Sequence, residues 1–486
     1  MKLSLFNTLT KKEEYFFPHD EDLIKMYVCG PTVYDRPHLG NARSVVIYDV
    51  LYRILINIYG KDKVKYVRNI TDIDDKIIDR AEKEDISVYE LTQVTTKYFH
   101  QDTDYLNCLR PNFEPKATDH IGDMISIIEK LLAKDVAYKS CGHIYFDITK
   151  YADYAKLSGR VENELLNSVR IDSSPGKKNP GDFVLWKPAF THAQDSSAYE
   201  EGKERQYNKF KADDSNCVFE SPFGRGRPGW HIECSAMSYR FLGENFDIHG
   251  GGADLIFPHH TNEIAQSCAA FENSKYAKIW VHNGFLTVNH EKMSKSLGNF
   301  LTVKDLIDKQ IKGDVIRLFL LSAHYRKPLD YSEKAVKDCT LTLNYWYKAI
   351  GKIESRVNED FTAINMDLPE DFITALLDDV NTVQAIKITN DYAKIIYADA
   401  NESRQIEAGY KLLACANFLG LMYDSPSKWF DNDVNSKEIT RLIESRNEAR
   451  KEKNWFKADK IRKALEGMGV VIEDNADGTT SRRKKY

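Results

Sequence analysis

The sequence predicts an α/β protein: a doubly wound parallel sheet, split by an insertion and followed by an α-helical bundle and a small C-terminal domain. Three observations carry this. Near the start, strand-like and helix-like patterns alternate, which is how a parallel sheet with covered faces is built. A polar stretch from about 111 to 228, broken by prolines and glycines, intervenes before the pattern resumes at Gly229. From about Asp314 onward apolar residues recur at helical spacing between short polar loops, as in an antiparallel bundle.

Taken in order, Met26 to Cys29 reads as a short buried strand that Gly30-Pro31 breaks. His38-Leu39-Gly40-Asn41 opens a long helix with Val46, Val50, Ile54 and Ile58 on one face and Gly60 as its stop. Val64 to Ile70 is β-like, and Thr71 is expected to cap the acidic helix after it. Helices are expected over Val88 to Leu109 and Asp119 to Lys134, then a hairpin over Val136 to Ile148 and a strand in DFVLWK. Thr191 to Glu220 is charged and aperiodic, and reads as a surface excursion. Asn245 to His249 reads as a strand ending at Gly250-Gly251-Gly252, where the backbone has room to approach a ligand. Ile279 to Val288 reads as another strand, and helices follow from Ser332, Glu370, Arg404 and Asn435.

At 486 residues the chain is long enough for two to four domains. Hydrophobic content of 42% and charged content of 29% fit a soluble, globular protein. No apolar run reaches the length of a membrane span, and MKLSLFNTLTKKEE is too polar in its middle for a secretory signal. Eight cysteines without a CxxC or regular spacing argue against a disulfide framework, so the expectation is a cytoplasmic protein with reduced thiols. A net charge of −5 gives no global attraction to nucleic acid. The stretch from Arg441 to Tyr486 is locally basic, ending Arg482-Arg483-Lys484-Lys485.

The segment from Gly229 to Glu263 concentrates the chemistry. It holds Trp230, read as buried core, and three metal-ligand types in Cys234, His259 and Glu263. His259 and Glu263 are one helical turn apart and face the same way, whereas His260 is expected to point about 100° away. Cys29 is the best fourth ligand, and two Cys with His and Glu fit tetrahedral Zn²⁺. The plain alternative is two small buried thiols. Cys268 should face away from His259, and Cys108, Cys141, Cys217, Cys339 and Cys415 read as packing residues. Lys292-Met293-Ser294-Lys295 places two cations where they could close over a polyphosphate, against the alternative of a solvated turn. His38 with Gly40 at a helix start is a second phosphate candidate, against a simple cap.

Together, Cys29 to Asp35 (CGPTVYD), His38 to Asn41 (HLGN) and Lys292 to Ser296 (KMSKS) resemble the class I aminoacyl-tRNA synthetases. Gly229 to Cys234 (GWHIEC), Phe246 to Gly252 (FDIHGGG), Phe257 to Glu263 (FPHHTNE) and Tyr66 to Lys76 (YVRNITDIDDK) narrow the resemblance to the cysteinyl-tRNA synthetase family, over nearly the whole chain. The resemblance implies a Rossmann-like catalytic domain and a zinc ion held by Cys29, Cys234, His259 and Glu263. It implies ATP with Mg²⁺, L-cysteine and tRNA(Cys) as ligands, no membrane, and a monomer. His38, Asn41, Lys292 and Lys295 would be catalytic, with His38, Gly40, Asn41 and Lys295 on ATP. Cys29, Thr71, Trp230, His249 and Asp254 would surround the substrate cysteine. The implied division is 1–110 and 229–300 for the halves of the catalytic domain, 111–228 for the connective insertion and 301–330 for a stem-contacting linker. The helical anticodon-binding bundle would cover 331–430 and a small basic domain 431–486.

The first signature here reads His-Leu-Gly-Asn where the family pattern reads His-Ile-Gly-His. Leu39 preserves volume and Asn41 still donates a hydrogen bond, so nucleotide binding is expected to survive. Thr261 stands where Glu is often seen, at a position that is not a ligand, and 191–220 is longer than the family usually carries. Two other readings fit parts of the pattern: a ligase joining activated cysteine to a small amine, and a non-enzymatic zinc-containing RNA-binding protein. The helices after Asp314 favour tRNA over the first. The pairing of His38 with Lys295 disfavours the second.

Overall fold

The computed structural model describes residues 2–159, 176–189, 217–293, 299–356, 367–430, 436–467, 470–474 and 480–484. Two strands, β1 (Ser4–Asn7) and β2 (Lys12–Tyr15), form an antiparallel hairpin that the sequence patterns do not announce. Then comes β3 (Ile24–Val28), whose apolar run is buried on both faces as a central parallel strand requires. Helix α1 (Leu39–Tyr59) carries the chain over the sheet, and Gly60, at φ 94°, ends it as expected. Strand β4 (Val64–Arg68) pairs parallel with β3.

Helix α2 (Asp75–Glu84) is capped by Asp74, whose side chain accepts from the Lys76 amide, and not by Thr71. Thr71 is drawn inward instead: its backbone bridges to Thr32, and Asn69 Nδ2 donates to its hydroxyl at 3.1 Å. Helix α3 (Val88–Tyr105) starts at a Ser87/Glu90 reciprocal cap, and α4 (Ile121–Ala133) follows a short 3₁₀ turn. The insertion carries an antiparallel sheet of β5 (Ala137–Ser140), β6 (His143–Phe146), β7 (Phe183–Pro188) and β8 (Gly226–Pro228). The anticipated hairpin and the DFVLWK strand are its centre. Of the excursion over 191–220, residues 191–216 lie outside the described residues.

Helix α5 (Trp230–Leu242) leads into β9 (Asn245–Gly252), which inserts parallel beside β3 and takes β10 (Tyr276–Asn283) on its other edge. The principal sheet is therefore β10-β9-β3-β4, all parallel. Two strand boundaries differ from expectation. β9 runs through Gly250-Gly251-Gly252 instead of stopping before them. A Cβ on Gly250 would lie 2.4 Å from the Tyr48 ring, and one on Gly251 2.7 Å from His260, so these glycines make room for side chains of the protein itself. The run from Ile279 to Val288 divides at Gly284: β10 ends at Asn283, and β11 (Leu286–Val288) joins a separate small sheet with β12 (Glu291–Lys292) and β13 (Leu329–Tyr331). Helix α6 (Thr261–Ala270) connects β9 to β10.

Helices α7 (Val303–Asp308) and α8 (Gly313–Leu321) follow, then α9 (Glu333–Glu354), α10 (Glu370–Leu377), α11 (Thr382–Ala398), α12 (Glu402–Phe418), α13 (Pro426–Phe430), α14 (Ser436–Lys451) and α15 (Trp455–Gly467). The chain does not stay helical to its end: β14 (Val470–Asp474) and β15 (Thr480–Lys484) form a hairpin. None of the described helices is long and apolar enough to cross a membrane.

By internal contacts the chain forms two units. The first takes 1–342, 367–391 and 414–421; the second takes 343–366, 392–413 and 422–486. The core of the first packs Ile127, Leu131, Trp186, Met237, Phe246 and Trp280 under the sheet. Within it, buried Arg317 pairs with Asp49 and donates to the Leu106 and Leu419 carbonyls. In the second unit, Ile439, Leu465, Val470 and Ile472 make a small separate core joining α14, α15 and the hairpin.

Candidate functional site

The parallel sheet delivers chain ends to one place, because β3, β4 and β9 all run the same way. Cys29 follows β3 directly, Asn69 and Thr71 follow β4, and α5 and α6 flank β9. Cys29, Cys234, His259 and Glu263 are brought together there, with their ligand atoms all within 4.8 Å of one another. Cys29 Sγ lies 3.6 Å from Cys234 Sγ and 3.4 Å from Glu263 Oε1, and His259 Nε2 lies 3.0 Å from the same oxygen. For tetrahedral zinc the matching edges are about 3.8, 3.6 and 3.4 Å from ordinary Zn–ligand lengths. The observed edges keep that order and run slightly shorter, and two sulfurs, one imidazole and one carboxylate form a usual zinc donor set. The four residues fit the ion.

Each ligand is held from behind. Asn69 Oδ1 accepts from the Gly30 amide at 2.8 Å and lies 3.7 Å from Cys234 Sγ, so one buried side chain fixes both cysteine segments. A Cβ on Gly30 would come within 1.6 Å of the Asn69 carbonyl oxygen, so only glycine fits after Cys29. His259 shows its Nδ1 to His231 at 3.0 Å, and Trp230 stacks on the His259 ring at 4.3 Å and 18°. Glu263 Oε2 accepts from His249 Nε2 at 2.9 Å and from the Tyr276 hydroxyl at 2.7 Å.

Burial works against ionising these groups, but their neighbours prevail at three of the four. Burial resists ionisation of Cys234, yet the hydrogen bond from Cys29 and the neighbouring His259 bring its thiol down to about 6. His259 is buried too, and the Glu263 charge still lifts it to about 10. Against burial, the His249 and His259 rings hold the Glu263 carboxyl well below the usual range. Only Cys29 is pushed well above the ordinary thiol value, first by burial and then by Cys234. The cluster thus holds negative charge on Cys234 and Glu263 away from water, which a metal cation would neutralise in place of the proton on His259.

A cavity of about 320 Å³ opens beside the cluster, lined by Cys29, Thr71, Trp230, Asp254, His38 and Asn41 among others. Trp230 is not buried in the core as its sequence context implied; it is 37% exposed and forms part of this wall. His249 does not reach the cavity. It is fully buried behind Glu263. His259 is the better partner of Glu263, as expected: His260 Nε2 lies 3.9 Å from Glu263 Oε1, a looser i,i+3 approach than the 3.0 Å of His259. Cys268 is absent from the cluster, as expected. Cys141 is exposed, contrary to its reading as a packing residue, because it sits in the β5–β6 turn at φ 47°.

Also lining the cavity, His38 caps α1. Its Nδ1 accepts from the Asn41 amide at 3.3 Å, and Asn41 Oδ1 accepts from the His38 amide at 3.2 Å. A Cβ on Gly40 would lie 2.8 Å from the His38 ring, so glycine lets the imidazole lie over the helix start. Lys292 lies in β12, and Lys295 is outside the described residues. Asn69, His231, Tyr276 and Glu233 escape sequence reasoning. Glu233 adjoins Cys234, is fully buried, and has its carboxyl pushed well above the usual range, chiefly by burial. The signal available for Asn69 and Glu233 was their place inside the quoted motifs; Tyr276 offered none.

Comparison with known proteins agrees with this geometry. A family model described as "tRNA synthetases class I (C) catalytic domain" matches residues 15–341, and one described as "Cysteinyl-tRNA ligase anticodon binding domain" matches 435–482. The cysteine–tRNA ligase of Rickettsia rickettsii (strain Sheila Smith) is 56% identical over 486 residues, covering 100% of both chains. That of Rickettsia felis is 54% identical over the same 486 residues, again 100% of both. Among solved structures, the Agrobacterium radiobacter LeuRS–tRNA–LeuAMS ternary complex matches with TM-score 0.55 at 12% identity, over 83% of this chain and 84% of that one. Mycobacterium tuberculosis methionyl-tRNA synthetase with methionyl-adenylate matches with TM-score 0.50 at 15% identity, over 84% and 93%. These structures share the fold; the sequence relatives and the catalytic-domain match show that this chain belongs to the cysteine–tRNA ligase family of class I synthetases.

Proposed function

We propose that this protein activates L-cysteine with ATP and transfers it to the terminal ribose of tRNA(Cys), and that Cys29, Cys234, His259 and Glu263 hold a zinc ion that selects the thiol. The observation that carries the reading is the four-ligand cluster, three of whose members, Cys29, Cys234 and His259, line the same cavity as His38 and Asn41. When bound, zinc supplies a soft Lewis-acid position that takes a thiolate far better than the harder, less acidic hydroxyl of serine. Loss of such a contact rejects a near-isostere by about 10⁴-fold, against the 10–200-fold of a plain pocket, so no editing site is required.

The residues of the chain do the positioning. Thr71, Trp230 and Asp254 surround the amino acid, with His249 acting through Glu263. The substrate carboxylate attacks the α-phosphate of ATP; the P–O bond to pyrophosphate breaks and the adenylate forms. His38 and Asn41, fixed by their reciprocal cap over Gly40, contact the phosphates as charge moves to the leaving group. Lys292 and Lys295 neutralise the pyrophosphate, and Mg²⁺ arrives with ATP. The ribose hydroxyl then attacks the adenylate carbonyl and AMP leaves.

The match of 435–482 to an anticodon-binding model supports tRNA reading by the 431–486 domain; the 331–430 helices, outside that match, would add to it. There Trp455 and Phe456 are exposed on α15 and available to stack on unpaired bases. Tyr486, which the basic terminus places nearby in sequence, lies outside the described residues. Residues 301–330 would meet the acceptor stem. The reading assigns a cytoplasmic monomer; none of the eight cysteines is in a disulfide, which suits a reducing compartment. The test is metal analysis with ATP–pyrophosphate exchange across the amino acids. One zinc per chain and exchange with cysteine alone is the expected result. Equal exchange with serine, or metal-stripped enzyme that still prefers cysteine, would overturn it.

A further inference from the structure

Tyr276 is the first residue of β10, and its backbone sits at φ 62°, in the left-handed region that a bulky side chain seldom adopts. The Ser274 hydroxyl accepts from its amide at 3.1 Å, and Asn245 Oδ1 accepts from the neighbouring Lys275 amide at 2.8 Å, so the turn is tied down. The ring is buried. Its hydroxyl donates to Glu263 Oε2 at 2.7 Å and lies 2.8 Å from Ser238 Oγ on α5. Packing alone does not require a hydroxyl here or a strained backbone beneath it. Strain of this kind persists where something nearby is positioned by it.

The two oxygens of Glu263 have separate duties. Oε1 faces Cys29 and His259; Oε2 faces Tyr276 and His249 and nothing in the ligand set. Because a carboxylate only accepts, Tyr276 and His249 must both donate to Oε2. Two donors on one oxygen leave the other as the only one able to face the cluster.

We infer that Tyr276 is a positioning residue for the metal: its hydroxyl, braced by Ser238, locks Glu263 as a one-oxygen ligand through Oε1. This rests on the zinc reading above. Outer partners of this sort set ligand orientation, and their loss lowers metal affinity roughly 10- to 100-fold.

The test is zinc affinity by competition with a chromogenic chelator, on full-length protein, for wild type, Tyr276→Phe, Ser238→Ala and the control Tyr66→Phe. Tyr66 is equally buried, with a hydroxyl that has no partner among the described residues. Tyr276→Phe should fall by roughly 10- to 100-fold, Ser238→Ala by less, and Tyr66→Phe not at all. The cobalt-substituted Tyr276→Phe protein should show altered ligand-field bands, which a loss of packing alone would not produce. Wild-type affinity in Tyr276→Phe overturns the inference. If that variant does not fold, unchanged affinity in Ser238→Ala overturns it instead. A wild-type protein that binds no zinc defeats the functional reading itself, and the two failures are thereby distinct.

Discussion

Replacing Glu114 with Gln should destabilise the protein by about 3 kcal/mol, and the penalty should vanish in acid. Glu114 pairs with Arg68 at 2.6 Å and with His100 Nε2 at 2.9 Å, with its own side chain 18% exposed and that of Arg68 2%. Arg68 also lies over the Phe99 ring and lines the cavity. Burial opposes ionisation of Glu114, but the His100 hydrogen bond and the Arg68 charge bring it from the ordinary 4.5 to about 2. At about 1.36 kcal/mol per pKa unit this difference is about 3 kcal/mol. It agrees with the roughly 3–5 kcal/mol lost when one member of a buried pair is removed. For a cooperative unit of about 375 residues the unfolding entropy is about 0.8 kcal/mol/K, so Tm should drop by about 4 °C at pH 7. The folded-state carboxyl is depressed, so its stabilisation is complete above the unfolded value near 4.5 and is lost as pH falls toward about 2. Calorimetry of wild type and Glu114→Gln from pH 7 to pH 3 should show the two curves converging below pH 5. A Tm difference under about 1 °C at pH 7, or one that does not shrink in acid, refutes the reasoning.

Arg317→Met should cost about 1–3 kcal/mol, because it leaves the buried Leu106 and Leu419 carbonyls unpaired and removes one of the two arginines on Asp49, which keeps Arg53 and the Leu109 amide; in a double-mutant cycle Asp49→Asn with Arg317→Met should cost less than the sum of the two. Gly30→Ala should lose about 1–3 kcal/mol or more and abolish cysteine-dependent exchange, since the added methyl meets a main-chain carbonyl that cannot yield; thermal melts and exchange assays check both. Deletion of 435–486 should weaken tRNA charging while pyrophosphate exchange stays within about two-fold of wild type, because the small core of Ile439, Leu465, Val470 and Ile472 is separate from the cavity-bearing unit.

The ligand set was legible because its residue types are rare together and the parallel order of strands puts their ends in one place. Helix α1 was legible from start to stop because a phased apolar face and a terminal glycine are both local signals. What failed was decided by tertiary partners. Thr71 looks like a cap until Asn69 and Thr32 claim it. Three glycines look like a strand stop until Tyr48 and His260 fill the space above them. Trp230 reads as core from its neighbours and as a pocket residue from the resemblance; its ring stacks on His259 at the cavity wall. Tyr276 had no local signature: its importance lies in the direction of one hydroxyl, which depends on a backbone angle that no pattern of neighbours announces.

The ordering of the principal sheet has a bearing on how the polypeptide is made. β3 cannot gain its second neighbour until β9 has been synthesised, and Cys29 waits 205 positions for Cys234. A nascent chain that has emerged only as far as the insertion leaves one edge of β3 unpaired and Cys29 without Cys234. On the zinc reading, ion capture is a late event in biogenesis, and acquisition of the metal would mark a chain whose two sheet halves have met.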